Sequence, residues 1–306
     1  MRIYLKPKPG IFPNSKRAGS SCFATIFISL LFTVFLQSCS VNRMLLNTTS
    51  KFFENSISVV YEEDDLDLAY HFFSSNLKII EIMLSKDPSN RRMNLLAAQA
   101  FGAYSMAFIE DIDTRRASKL YLRGLKYAFA SLPKQKRFNE KVKPQELETL
   151  LLEYNKSEVP YLFWVGYNWG SYVLHNLDNP RALVNLAKVE MIMRRILELD
   201  EEFNFAGVHL FYGSYYAARP PILGGNPEKG REHFERNIEL TGNSFLLAKV
   251  YLARYYAVQV QDRELFNSLL DEVINTDIDK YPEIRLMNAL AKKKAAEIKE
   301  NELNFF

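Results

Sequence analysis

The chain has 306 residues, 48% of them hydrophobic and only twelve glycine. That leaves room for one large domain or two small ones and disfavours an all-β fold rich in tight turns. Its formal charge of +3 is an N-terminal effect: Arg2, Lys6, Lys8, Lys16 and Arg17 precede the first acid, Glu54, and taking those five from the 39 basic residues leaves 34 against 36 acids, so the charge balance beyond residue 38 gives no argument for nucleic acid.

The first element in chain order is the uncharged run FATIFISLLFTVFL, residues 23–36. Its length suits the apolar core of a signal peptide and is short for a membrane span. LQSC follows at 36–39 and resembles the bacterial lipobox, although Gln37 and a long basic segment with three prolines depart from it. The resemblance implies cleavage before Cys39 and acylation of its thiol, and several acyl chains on one residue anchor a protein stably. A plain secretory signal with Cys39 incidental is the alternative. Ser40 stands where an Asp would resemble the inner-membrane retention signal, so the periplasmic face of the outer membrane is the expected location. Residues 1–38 are therefore assigned to a lipoprotein signal peptide and 39–306 to a single all-α domain. Cys22 and Cys39 are the only cysteines, which excludes a disulfide within the mature chain.

Beyond Cys39, apolar residues recur at helical spacing almost to the end. Helices are expected over 41–61, 64–85, 94–110, 114–132, 145–154, 161–175, 181–199, 203–218, 228–240, 244–260, 263–274 and 283–300. DNP at 178–180 and GNP at 225–227 place Asn at an N-cap and Pro at the first helical position. Paired helices invite a repeat, and the tetratricopeptide pattern W-x2-L-G-x2-Y followed by A-x3-F serves as a ruler. Lys249, Leu252, Ala253 and Tyr256 fill its first half, with Leu265 and Leu269 at the right offset. Trp169, Gly170 and Val173 fill it earlier, with Ala182 and Leu186. His209, Tyr212, Gly213 and Tyr216 fill it best, yet their second half, Gly230–x3–Phe234, begins five residues late. The expected fold is an all-α α-solenoid of degenerate tetratricopeptide-like helical hairpins; a non-repeating bundle is the alternative.

The five extra residues fall in RPPILGGNPEKG, 219–230. Its prolines forbid helix and its glycines permit a return turn. Ile222 and Leu223 are too apolar for a spacer and should pack on something. Either the stretch is a rigid elbow, or it rims a cavity or touches a neighbouring subunit.

Catalytic and cofactor motifs are missing. His71, His175, His209 and His233 lie far apart in sequence, and H-E-x-x-H, Cys/His, P-loop and G-x-S-x-G patterns are absent. No metal, cofactor or enzymatic role is expected. The acidic YEEDDLD, 61–67, reads as a favourable first helical turn. Three segments carry more aromatics than one buried stripe requires: YLFWVGYNWGSYVLH, FNFAGVHLFYGSYYAARPP and VYLARYYAVQVQ. The excess can line a cavity or a partner surface. Candidate ligand- or partner-binding residues are Trp164, Tyr167, Trp169, Tyr215, Tyr216, Arg219, Ile222, Leu223, Arg254 and Tyr256.

FYGSYYAARPPILGGNPEKGREHFERNIEL and FLLAKVYLARYYAVQVQDRELFNSLLDEV, within 210–273, resemble the TatT family, the T components of tripartite ATP-independent periplasmic (TRAP) transporters. The resemblance implies an all-α lipoprotein on cryptic tetratricopeptide-like repeats. It also implies a scaffold for the TRAP periplasmic solute-binding protein, arranged as a homotrimer with a ligand-accessible pore or cleft. From it we expect a binding component holding an apolar or organic-acid ligand. A general envelope-assembly lipoprotein is the alternative.

Overall fold

The computed structural model describes residue 48 and residues 57–133, 138–219 and 221–306. The signal peptide, the lipobox with Cys39 and most of the first expected helix lie outside the described residues. Among the described residues there is no strand, and no helix is long and apolar enough to cross a membrane.

Thirteen α-helices follow in order: α1 Ile57–Tyr61, α2 Leu66–Leu84, α3 Arg91–Phe108, α4 Thr114–Ser131, α5 Pro144–Leu152, α6 Val159–Leu174, α7 Pro180–Leu183, α8 Leu186–Leu199, α9 Phe203–Ala217, α10 Pro227–Leu240, α11 Leu247–Tyr251, α12 Arg263–Asn275 and α13 Arg285–Glu300. Their starts are written in the sequence as caps. Asp65, Asn90, Asp113, Asn179, Asn226 and Asp262 each accept a backbone N–H of the following first turn, a contribution of about 1 kcal/mol apiece. Asp67 stands in the first turn of α2, where a carboxylate meets the positive dipole end. The helix expected over 181–199 divides into α7 and α8, because the turn after Pro180 does not continue past Val184. The helix expected over 244–260 changes pitch: α11 passes into a π-helical segment, Leu252–Ala257.

Consecutive helices pack on one another: α2 on α3, α3 on α4, α4 on α6, α6 on α8, α9 on α10, and α12 on α13. Small residues set the closest approaches. A Cβ on Gly213 would come 2.5 Å from the Phe234 ring, and one on Gly230 would come 2.7 Å from the Ala217 Cβ. The contact between α9 and α10 thus uses Gly213, Gly230 and Phe234, and the five extra residues before Gly230 are spent in the elbow.

The stack closes. The last helix, α13, packs on α1, α2 and α11. At this seam Lys294, whose side chain is only 5% exposed, places Nζ 3.3 Å from Glu110 Oε1 and also bonds Asp111. From the π-helical segment Arg254 donates to Asp111 Oδ1 at 2.8 Å. Burial opposes the charge on Asp111, but Lys294 and Arg254 outweigh it and hold the carboxyl below its usual range. Burial likewise opposes the charge on Lys294, and Glu110 and Asp111 raise it above the ordinary lysine value.

Lys294→Met should therefore destabilise the fold by about 1–3 kcal/mol at neutral pH, because it takes the buried cation from Glu110 and leaves Asp111 paired with Arg254 alone. A depressed carboxyl stabilises above its unfolded pKa, and that stabilisation is lost as pH falls through the folded value. The gap between variant and parent should narrow below about pH 4. Urea unfolding at neutral and acid pH measures both, and an equal gap at the two pH values would refute the assignment.

Candidate functional site

The helices surround a central cavity of about 600 Å³. Its wall is built from one stripe of each inner helix. α3 contributes Leu96, Ala100, Ala103 and Ala107, spaced by three or four residues. α6 contributes Trp164, Tyr167, Ser171 and Leu174, and α9 contributes Gly207, Phe211 and Ser214. Leu247, Tyr251 and Tyr255 continue the wall through α11 and the π-helical segment, and Leu286 and Leu290 complete it from α13. The first helix of each hairpin faces inward, and α8 adds Leu186 and Met193; among the described residues α4, α10 and α12 supply none of the wall. Val59 and Phe72 line the cavity and are also exposed, which puts an opening at α1 and α2.

The wall is apolar with a few fixed polar groups, as small-molecule cavities are. Glu110 accepts the Tyr121 hydroxyl at 2.6 Å and faces His175 Nε2 at 3.5 Å. His175 Nδ1 lies 2.8 Å from the Ser171 carbonyl oxygen, so Nδ1 carries the hydrogen. Burial, then the Glu110 charge, push the phenols of Tyr167 and Tyr251 above their usual value, so both stay neutral hydroxyls.

Of the residues singled out by sequence, Trp164, Tyr167, Tyr215 and Arg219 line the cavity. The Arg219 guanidinium lies 3.7 Å over the Tyr215 ring and donates to the carbonyls of Tyr215 and Gly224. It thereby ties the 219–230 elbow to the cavity wall. Trp169 is buried with its edge on Phe129 and Lys188 over its face. Tyr216 stacks on Tyr212 and His233. Tyr256 is buried, and its hydroxyl donates to Glu228 at 2.9 Å. Arg254 belongs to the ion cluster at the seam. The elbow forms a 3-10 turn over Pro221–Leu223, and Gly224 takes φ +78°. Ile222 is 92% exposed, contrary to the expectation that so apolar a residue finds cover within the chain. Cys39 lies outside the described residues.

Two features escaped the sequence. The histidines are dispersed in the sequence, yet His209 Nδ1 and His233 Nδ1 lie 3.0 Å apart and His209 Nε2 is 3.1 Å from Glu201. Their separation of 24 residues spans the elbow and hides the pairing. Burial lowers both imidazoles, His233 to about 4, so at neutral pH the pair is uncharged and joins α9 to α10.

The other is a left-handed turn. Asn204, Phe205 and Ala206 have φ of 52°, 57° and 51°, a conformation costing roughly 1–2 kcal/mol per non-glycine residue. Asn237 holds it: fully buried, its Nδ2 donates to the carbonyls of Phe205 at 2.7 Å and Ala206 at 3.0 Å. Phe205 stacks on Phe245 with centroids 5.0 Å apart and meets Tyr61 edge-on. The turn presents Asn204 and Phe205 to the cavity.

Residues 62–306 match the sequence profile of the TRAP transporter T-component family. An uncharacterised protein of Treponema pallidum (strain Nichols) is 26% identical over 318 residues, covering 93% of this chain and 97% of that protein. The chain belongs to the TRAP transporter T-component family.

Asn237→Ala should cost about 1–3 kcal/mol, the penalty for leaving buried carbonyls without a donor. It should also speed amide hydrogen exchange at the start of α9. Unchanged urea stability together with unchanged exchange would show that the turn holds itself.

Proposed function

We propose that this T-component is a binding and scaffold protein. It holds an apolar or organic-acid ligand in the central cavity and presents it to the periplasmic solute-binding protein of a TRAP transporter. The observation that carries the reading is the wall of helices around about 600 Å³ of mainly apolar space, a volume that takes a ligand of some tens of heavy atoms at most. The aromatic excess of α6, α9 and α11 supports it, since these helices supply much of the wall.

A surface for the partner lies beside the opening. Leu68, Phe72, Ile79 and Ile82 are exposed along α2. Their spacing, with Ser75 between them, is that of a seam on which another helix packs. Ile222 on the elbow offers a second exposed apolar contact. The protein works as a homotrimer anchored through acylated Cys39 to the periplasmic face of the outer membrane. Its role is binding rather than catalysis.

Native mass spectrometry of the full chain, extracted in mild detergent and mixed with the TRAP solute-binding protein of the same bacterium, tests the reading. A trimer carrying a small bound mass and joined by the solute-binding protein is expected. A ligand-free monomer that ignores the partner would defeat it. Cys39→Ala should abolish labelling by a fatty-acid analogue and release the protein from the membrane fraction; undiminished labelling would remove the anchor.

A further inference from the structure

Two acceptors face each other across a gap in the cavity wall. Glu110 lies just beyond the C-terminal end of α3, and His175 caps that of α6. Glu110 Oε2 and His175 Nε2 are 3.5 Å apart, and no hydrogen bond joins them. An imidazolium on a carboxylate closes to about 2.7–2.9 Å. The wider gap fits a neutral ring: Nδ1 gives its hydrogen to the Ser171 carbonyl, and Nε2 keeps its lone pair. Glu110 Oε2 accepts the Tyr121 hydroxyl and has a further lone pair, while Lys294 Nζ lies on Oε1. The two side chains remain 10% and 18% exposed, and both line the cavity.

The surroundings of the pair favour a cation. Helix C-termini carry the negative end of the dipole, and α3 and α6 both end here. Glu110 and Asp111 are matched in number by Lys294 and Arg254. Even so, after burial it is the Glu110 charge that most raises the phenols of Tyr167 and Tyr251, which line the same cavity. The field at those phenols is negative and repels a carboxylate. The stripes that lead to the pair are mostly apolar. Ala103 and Ala107 precede Glu110 along α3, and Tyr167 and Ser171 precede His175 along α6, at steps of three or four residues.

We infer that Glu110 Oε2 and His175 Nε2 form a subsite for the primary ammonium group of an otherwise apolar ligand. Its nitrogen donates one hydrogen to each acceptor, and the aliphatic tail lies along the alanine stripe of α3. A hydroxyl has one hydrogen and serves one acceptor; a carboxylate has none to give. This rests on the cavity being a ligand site, and it adds the head group: within that reading an amine is preferred to an organic acid.

The test is isothermal titration calorimetry on the full chain in a non-ionic detergent, with the heats of protein-free detergent subtracted. Octylamine, 1-octanol and octanoate share a chain length and differ in the head group. The parent protein should bind octylamine about tenfold more tightly than octanoate, with 1-octanol between them. His175→Phe keeps a ring against Tyr121, whose centroid is 5.6 Å from that of His175, and removes Nε2. It should weaken octylamine about tenfold and leave octanoate unchanged. Octanoate binding the parent as tightly as octylamine overturns the subsite without recourse to a variant, and so does an equal loss of both ligands in His175→Phe. Either result leaves the cavity reading intact. If none of the three ligands binds the parent protein, the cavity reading itself falls and the subsite with it.

Discussion

The fold turns on the meeting of its two ends. Packing each helix on the next gives a stack with two open faces, and only the return of α13 to α1 and α2 makes an interior. The ion cluster of Glu110, Asp111 and Arg254 around the buried Lys294 marks that return. Taking such charges out of water costs several kcal/mol per ion, which mutual attraction offsets only with good geometry. A cluster of this kind is therefore a weak source of net stability and a strong source of specificity. An alternative register of α13 would bury Lys294 away from both carboxylates. The π-helical segment contributes to the same end, since Arg254 reaches Asp111 from within it.

Closure also explains why the inner helices look as they do. A helix lining an enclosed space has one face against its hairpin partner and another toward the interior, so apolar residues cover more than the single stripe of a surface helix. α3 meets this with alanines toward the cavity, and α6, α9 and α11 meet it with aromatics. The wall stays open because its rings are held by one another: Trp164 and Tyr167 meet edge-on, as do Phe163 and Phe203, and Phe211 packs on Tyr215 at 5.4 Å. Large rings with few torsions fix a surface at low entropic cost. A wall of flexible aliphatic chains would more easily collapse into the space.

Local chemistry was legible and long-range closure was not. The caps at Asn179 and Asn226, and the breaks between hairpins, follow from side chains that bond their own next turn. Gly213, Gly230 and Phe234 betrayed the α9–α10 contact because only a missing Cβ lets those helices approach, and the offset between them exposed the elbow. The aromatic excess singled out three of the helices that line the cavity. Within them periodicity could not separate Trp164, in the wall, from Trp169, packed on Phe129, because neighbouring heptad positions on a helix apolar all round carry no outward label. Glu110 and His175 were invisible for a different reason. They sit 65 residues apart and are brought together only by the packing of α3, α4 and α6. No local rule predicts left-handed Phe205 or Ala206, since propensity argues against that backbone at both.

The left-handed turn is where the energetic accounting is tightest. Phe205 and Ala206 together cost about 2–4 kcal/mol and Asn204 less, a large part of the 5–15 kcal/mol by which a typical domain is stable. The two hydrogen bonds from Asn237 return about 1 kcal/mol each, and the Phe205–Phe245 stack about 0.5–1.5 kcal/mol beyond its burial. These leave the turn close to neutral at best. A right-handed first turn would carry no such cost, but it would rotate Asn204 and Phe205 away from their present positions in the cavity wall. The strain therefore goes to shaping the cavity. On the proposed reading, a ligand in the cavity binds the native state alone, and its binding free energy adds to the stability of the helices that line it.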